Sequence, residues 1–86
     1  MNVGQVVFSK CGRDKGCAMI VVRCEGEYVY LADGRLRLLA KPKKKKIKHI
    51  QLTHCMVDLT CDRVDMGRGL QDADIRKFLK LFWEGR

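Results

Sequence analysis

The 86 residues carry 18 Lys plus Arg against 10 Asp plus Glu, a formal charge of +8 at pH 7. A chain this short makes one small domain with a thin core, which excludes a multidomain enzyme and leaves few residues for a deep catalytic pocket. A hydrophobic content of 47% still predicts a folded chain.

Val3 to Ser9 reads as a first strand. Lys10 to Gly16, with two glycines and four charges, reads as a loop. Cys17 to Cys24 is a second strand with Ala18, Ile20, Val22 and Cys24 on one face. Glu25-Gly26-Glu27 turns the chain into a third strand, Tyr28 to Ala32. After the Asp33-Gly34 turn, Arg35 to Leu39 alternates cation and Leu, which predicts a fourth strand exposing Arg35 and Arg37. Pro42 and crowded like charges predict an exposed loop over Ala40 to Lys45. Lys48 to Thr53 is a fifth strand, with Ile50 and Leu52 inward and His49 and Gln51 outward. Five short strands at this spacing predict a mostly β fold, a small bent antiparallel barrel over residues 1–53 whose closure removes sticky edges.

Residues 54–86 are expected to form a helical extension packed on that barrel. Thr53 can cap a segment with Val57, Cys61 and Val64 at helical spacing, ended by Gly67 and Gly69; Val57, Leu59 and Cys61 also alternate as in a strand. The last helix is clearer. Asp72 is the expected N-cap, Ile75, Phe78, Leu79 and Phe82 make an apolar face, and Arg76, Lys77 and Lys80 lie off it.

The charge sits in one place. Arg35, Arg37, Lys41, Lys43, Lys44, Lys45, Lys46 and Lys48 put eight cations and no acid into 14 residues, while the other 72 residues hold 10 cations and 10 acids. Such a block repels itself unless an anion meets it. One reading is a solvated lysine loop; the other is a polyanion partner, of which nucleic acid is the commonest. A membrane surface fits less well, because no interleaved Trp, Phe or Leu is expected to face lipid and no lipidation motif is seen. The longest apolar run, Cys17 to Val22, is far below the ~20 residues of a spanning helix, and from Met-Asn-Val-Gly-Gln no secretory signal is expected.

The five cysteines (Cys11, Cys17, Cys24, Cys55 and Cys61) are odd in number and contain no Cys-x-x-Cys pair, so a reducing cytoplasm is expected. A metal site from His54, Cys55 and Cys61 has poor spacing, and no metal or cofactor is expected. No paired-carboxylate, Ser/His/Asp or phosphate-cradling glycine pattern is present, so neither an enzyme nor a small-molecule substrate is expected. Asp58, Asp62 and Asp65 read as a solvated helix face offset by Arg63.

One order of residues carries more. Gly4-x-Val6-Val7, then Gly12-x-x-Lys15-Gly16, then an apolar strand and a hairpin to Tyr28-Val29-Tyr30, resembles a KOW motif. The glycines suit a first loop with positive φ, and Lys15 can point at a phosphate. With the Ala32-Asp33-Gly34 turn, the Arg35-x-Arg37 strand, the lysine run, Lys48-His49-Ile50-Gln51 and the Asp72-to-Arg76 helix start, the chain is similar to small bacterial KOW-domain RNA-binding proteins. These are related to the large-subunit ribosomal proteins called fourteen-e, six-e and twenty-seven-e. Cys17 departs from that pattern, where a small or basic residue is common. The resemblance implies a five-stranded SH3-like barrel of the KOW type, RNA binding, and association with ribosomal RNA of the large subunit in a structural or assembly role in translation.

On that reading the contacts are Lys10, Arg13 and Lys15 in the first loop, and Arg35, Arg37, Lys41, Lys43, Lys44, Lys45, Lys46, Lys48 and His49 beyond it. The lysines would follow phosphates as point charges, and Arg35 and Arg37 could bind them bidentately. His49 contacts RNA or is an ordinary surface histidine. Tyr28 and Tyr30 share a strand face, as barrel wall or as a base-stacking surface. Neutralising about six phosphates would give a log-log salt slope of about −4 to −5. Replacing Lys43 to Lys46 with Gln is expected to flatten it without changing the melt. The alternatives are a Tudor-type protein-interaction module, which needs more aromatics on one surface, and a transcription-elongation KOW module. The latter is expected inside a longer protein, whereas this chain is expected to be complete from Met1.

Overall fold

A computed structural model describes residues 2–57 and 70–85. Five antiparallel strands form one sheet: β1 (Gln5–Ser9), β2 (Ala18–Glu25), β3 (Tyr28–Ala32), β4 (Lys43–Lys46) and β5 (Ile50–Met56). One helix, α1 (Asp72–Glu84), follows. The strand order is β4-β3-β2-β1-β5.

That order, with its short last connection, dictates a curled sheet. β4 and β5 are opposite edges, and across a flat five-stranded sheet they would stand roughly 19 Å apart. Only the 3₁₀ turn Ile47–His49 joins them, and such a turn rises about 6 Å. The sheet must therefore bend until its edges nearly meet. Two hydrogen bonds hold the bend: Ile47 N–H donates to the Glu27 carbonyl (2.9 Å), and Lys10 N–H to the His49 carbonyl (2.9 Å). No ladder pairs β4 with β5 among the described residues, so the sheet is not the closed barrel expected from strand count.

Over Ala18 to Val21, β2 is buried on both faces, which explains why it lacks a simple alternation there. Val7, Met19, Val21, Val29, Leu31 and Ile50 form the concave core. Val6, Ala18 and Ile20 on the convex face pack against Ile75, Phe78 and Leu79 of α1. The expected apolar face of α1 is thus its packing face, and Phe82 joins it partly buried. Phe8, Phe82 and Trp83 close the far end of this contact with ring centroids 5.6–5.8 Å apart.

A register shift between Val21 and Arg23 divides the convex face. Val21 stays opposite Leu31 in the concave core, while Arg23 comes opposite Tyr30 and Glu25 opposite Tyr28. The helix therefore covers the half of the convex face that carries Ala18 and Ile20. The half beyond the bulge bears Arg23, Glu25, Tyr28 and Tyr30, together with Lys44 and Lys46 of β4.

Several expected elements differ. Arg35 to Leu39 is not a strand. Asp33 Oδ1 accepts the amides of Arg35 (2.8 Å) and Arg37 (2.9 Å), and the Arg37 carbonyl accepts those of Asp33 and Gly34, which winds the segment into turns. Leu36 consequently points to solvent at 87% exposure, and only Leu39 packs on the core. The fourth strand is the lysine run itself. Pro42 sits just before it, where a missing amide donor breaks no ladder, and an edge position lets four lysines be tolerated.

β5 runs on to Met56, past the expected end of the barrel at residue 53. Thr53 is not a helix cap: its hydroxyl donates to the Val6 carbonyl (2.7 Å) and accepts the Cys55 amide (3.1 Å), filling a bulge opposite β1. Leu52 is 46% exposed rather than inward, because β5 is the outer edge there. The expectation for Asp58 to Gly69, helix or strand, lies outside the described residues. The N-cap of α1 is Gln71, whose amide is accepted by Asp74 Oδ2 (2.9 Å). Asp72 instead accepts the Leu39 amide (2.7 Å), tying the 33–42 segment to the helix. Gly34 is fixed at the same junction. Its φ is +76°, and a Cβ there would lie 2.5 Å from the Asp72 carbonyl oxygen.

Candidate nucleic-acid interface

The strand alternation of β4 gives its lysines opposite fates. Opposite Val29 on the concave side, Lys45 is buried. Its ammonium donates to Ser9 Oγ (2.6 Å), the Cys11 carbonyl (2.7 Å) and Asp14 Oδ1 (2.7 Å). A lysine has three donors, and all three are spent. Lys45 is thus a structural pin rather than a phosphate contact, which corrects its place in the expected RNA-binding set.

The other partners complete the pin. Ser9 Oγ also lies 2.8 Å from Asp14 Oδ1 and 2.9 Å from the Cys11 carbonyl, donating its one proton between them. Burial pushes the Asp14 carboxyl up, but the hydrogen bonds from Lys45 and Ser9 and the Lys45 charge outweigh this and hold it below the ordinary aspartate range. Asp14 Oδ2 is shielded with no hydrogen-bond partner among the described residues, so the carboxylate relies on Lys45. Gly12 and Gly16, at φ +85° and +86°, give the loop its shape.

The pin brings the two basic regions of the sequence together. It holds the 10–16 loop, with exposed Lys10, Arg13 and Lys15, against β4. The Lys10 amide bonded to His49 sets the same loop beside exposed Lys48 and half-buried His49.

On the convex side, Lys44 and Lys46 stand opposite Tyr30 and Tyr28. Lys44 Nζ lies 4.5 Å and Lys46 Nζ 6.0 Å from the Tyr28 ring centroid. The Arg23 guanidinium lies 5.3 Å from that of Tyr30 and 3.2 Å from Glu25. Tyr28 and Tyr30 are half-buried and belong to neither core cluster, so the barrel-wall reading does not hold for them. Arg23 is the member that sequence reasoning missed. Its signal would have been the break in β2 alternation after Val22.

The remaining expected residues are more dispersed. Lys43 is half-buried and shares the concave-side register with Lys45. Lys41 is exposed in the loop before β4. Arg37 is half-buried within the turns after β3. Arg35 lies away from β4, in a groove with Lys77, Lys80 and Trp83 of α1.

Cys11 and Cys55 are half-buried, Cys17 and Cys24 are exposed, and no disulfide joins any two of them. No group of His, Cys, Asp or Glu side chains that could hold a metal occurs among the described residues, and Cys61 lies outside them. No described helix is long and apolar enough to cross a membrane. No known protein family matches the chain, and no curated protein matches it either.

Proposed function

We propose that this chain is a non-catalytic, cytoplasmic RNA-binding protein that holds ribosomal RNA of the large subunit in a structural or assembly role. The observation that carries the reading is the pinned 10–16 loop, which sets Lys10, Arg13 and Lys15 beside Lys48, with Lys44 and Lys46 on the outer face of the edge strand β4 that anchors it. Cations drawn from separate segments onto neighbouring surface suit a phosphate backbone, which is bound by charge and releases its counterions. The finer fold reading, an SH3-like arrangement of the KOW type, belongs to the same proposal. It is supported by the glycine-shaped loop between β1 and β2, the β1–β5 pairing and the 3₁₀ turn between the last two strands.

A Tudor-type cage for a methylated cation is less well supported, because Tyr28 and Tyr30 already face cations of this chain. Sedimentation of a cell extract at low and high salt tests the proposal. Co-migration with the large subunit that is lost only at high salt is expected. Failure to co-migrate at low salt would remove the ribosomal reading.

A further inference from the structure

The convex face beyond the bulge is more than a source of charge. Tyr28 and Tyr30 project from one face of β3 two residues apart, at a spacing of about 6.7 Å. Each ring is covered by a cation of a neighbouring strand, Lys44 on one and Arg23 on the other. Beside Tyr30 lies a shallow apolar recess lined by Val22, Leu39, Pro42 and Leu70. Two rings on one strand face, a recess at one of them and cations on both flanks form a surface suited to flat ligands that carry negative charge at their rims.

We propose that this face is a stacking platform for unpaired bases: Tyr28 and Tyr30 each take one base of a single-stranded RNA segment, while Lys44, Lys46 and Arg23 move from the ring faces to its phosphates. The proposal rests on the RNA-binding reading above and names the kind of RNA. The exchange is favourable in magnitude. An exposed cation–π contact contributes a factor of about 2 to 5, whereas stacking on an aromatic side chain contributes about 5- to 150-fold per base. The displaced cations are not stranded, since phosphate offers them a charge-assisted partner. Glu25 loses its contact with Arg23, but both are exposed and such a pair contributes little. A duplex cannot use this face in the same way, because its base faces are already stacked and it presents only edges and phosphates.

The test is fluorescence anisotropy with three labelled probes of about ten nucleotides: single-stranded RNA, the same backbone without bases, and duplex RNA. Wild-type protein is expected to bind the base-bearing single strand at least about 30-fold more tightly than the abasic strand, from two stacked bases. The double variant Tyr28→Leu/Tyr30→Leu loses that difference while its abasic binding and salt slope stay as in wild type. Tyr28→Phe/Tyr30→Phe keeps it within a few-fold. Equal wild-type affinity for base-bearing and abasic strands would overturn the platform and leave phosphate binding standing. This comparison needs no variant and holds even if the Leu pair fails to fold. Absence of binding to all three probes would overturn the RNA reading and the platform with it.

Discussion

Lys44, Lys45 and Lys46 are identical in chemistry and adjacent in sequence, yet they occupy opposite sides of one short strand. Lys45 is 8% exposed and holds one acceptor at the end of β1 and two in the loop after it, so its charge is consumed inside the protein. Lys44 and Lys46 lie over a tyrosine ring on the outer face, where water and any ligand can reach them. A run of like charges is therefore not one functional unit. Strand alternation turns it into a fastening on one side and a candidate contact surface on the other.

Mutation separates the two sides most sharply at Lys45. Lys45→Met leaves the partly buried Asp14 without its counter-charge and is expected to lower unfolding free energy by about 3 kcal/mol, the low end for a broken buried pair, read from urea denaturation. Lys44→Gln/Lys46→Gln is expected to change it by less than about 0.5 kcal/mol, as for surface substitutions generally. The expectation that all four lysines of the run can be exchanged without touching the melt is corrected accordingly: Lys45 must be left in place.

The next effect is at Gly34. Gly34→Ala places a Cβ against the Asp72 carbonyl in a left-handed backbone and is expected to cost about 1–3 kcal/mol, measured as a lowered Tm. It loosens the seam between the 33–42 segment and α1 without removing a charge, so a similar loss of RNA affinity is not expected.

Acid probes the pin more gently. Asp14 has a depressed folded-state pKa, so its contribution is fully present above the unfolded aspartate value of about 3.9 and fades as pH falls through the lower folded value. Wild type should thus lose more stability than Asp14→Asn as pH drops below about 4, with parallel behaviour between pH 5 and 7. Parallel curves below pH 4 as well would mean that the pin carries no linked proton.

The parts of this architecture that were legible in the sequence are those with a local signal. Tyr28 to Ala32 shows strand composition and follows a Gly26 turn at φ +59°, and the Ile75, Phe78, Leu79, Phe82 spacing marks α1. β4 was illegible because its alternation is written in a single residue type. Lys43 to Lys46 carry no difference in hydropathy, and burial of Lys45 depends on Asp14, 31 residues earlier. Arg35 to Leu39 failed in the opposite sense: its cation–Leu alternation mimics a strand, but the Asp33 carboxylate captures two of its amides first. The candidate site was legible as an address, the basic segment, but not as a surface. Its tyrosines and Arg23 are aligned only through the bulge in β2, and the 10–16 loop is set against β4 only through the Lys45 pin.

The most direct measurement compares salt dependence of RNA binding for wild type, Lys44→Gln/Lys46→Gln and Lys77→Gln/Lys80→Gln. The first pair lies on the proposed contact face, and the second on the exposed side of α1. Two lost phosphate contacts should reduce the magnitude of the log-log slope by about 1.4 for the β4 pair and leave it unchanged for the helix pair, with both melts close to wild type. Equal slopes for wild type and the β4 pair, or a reduction found only in the helix pair, would contradict the assignment of the outer face of β4 to RNA.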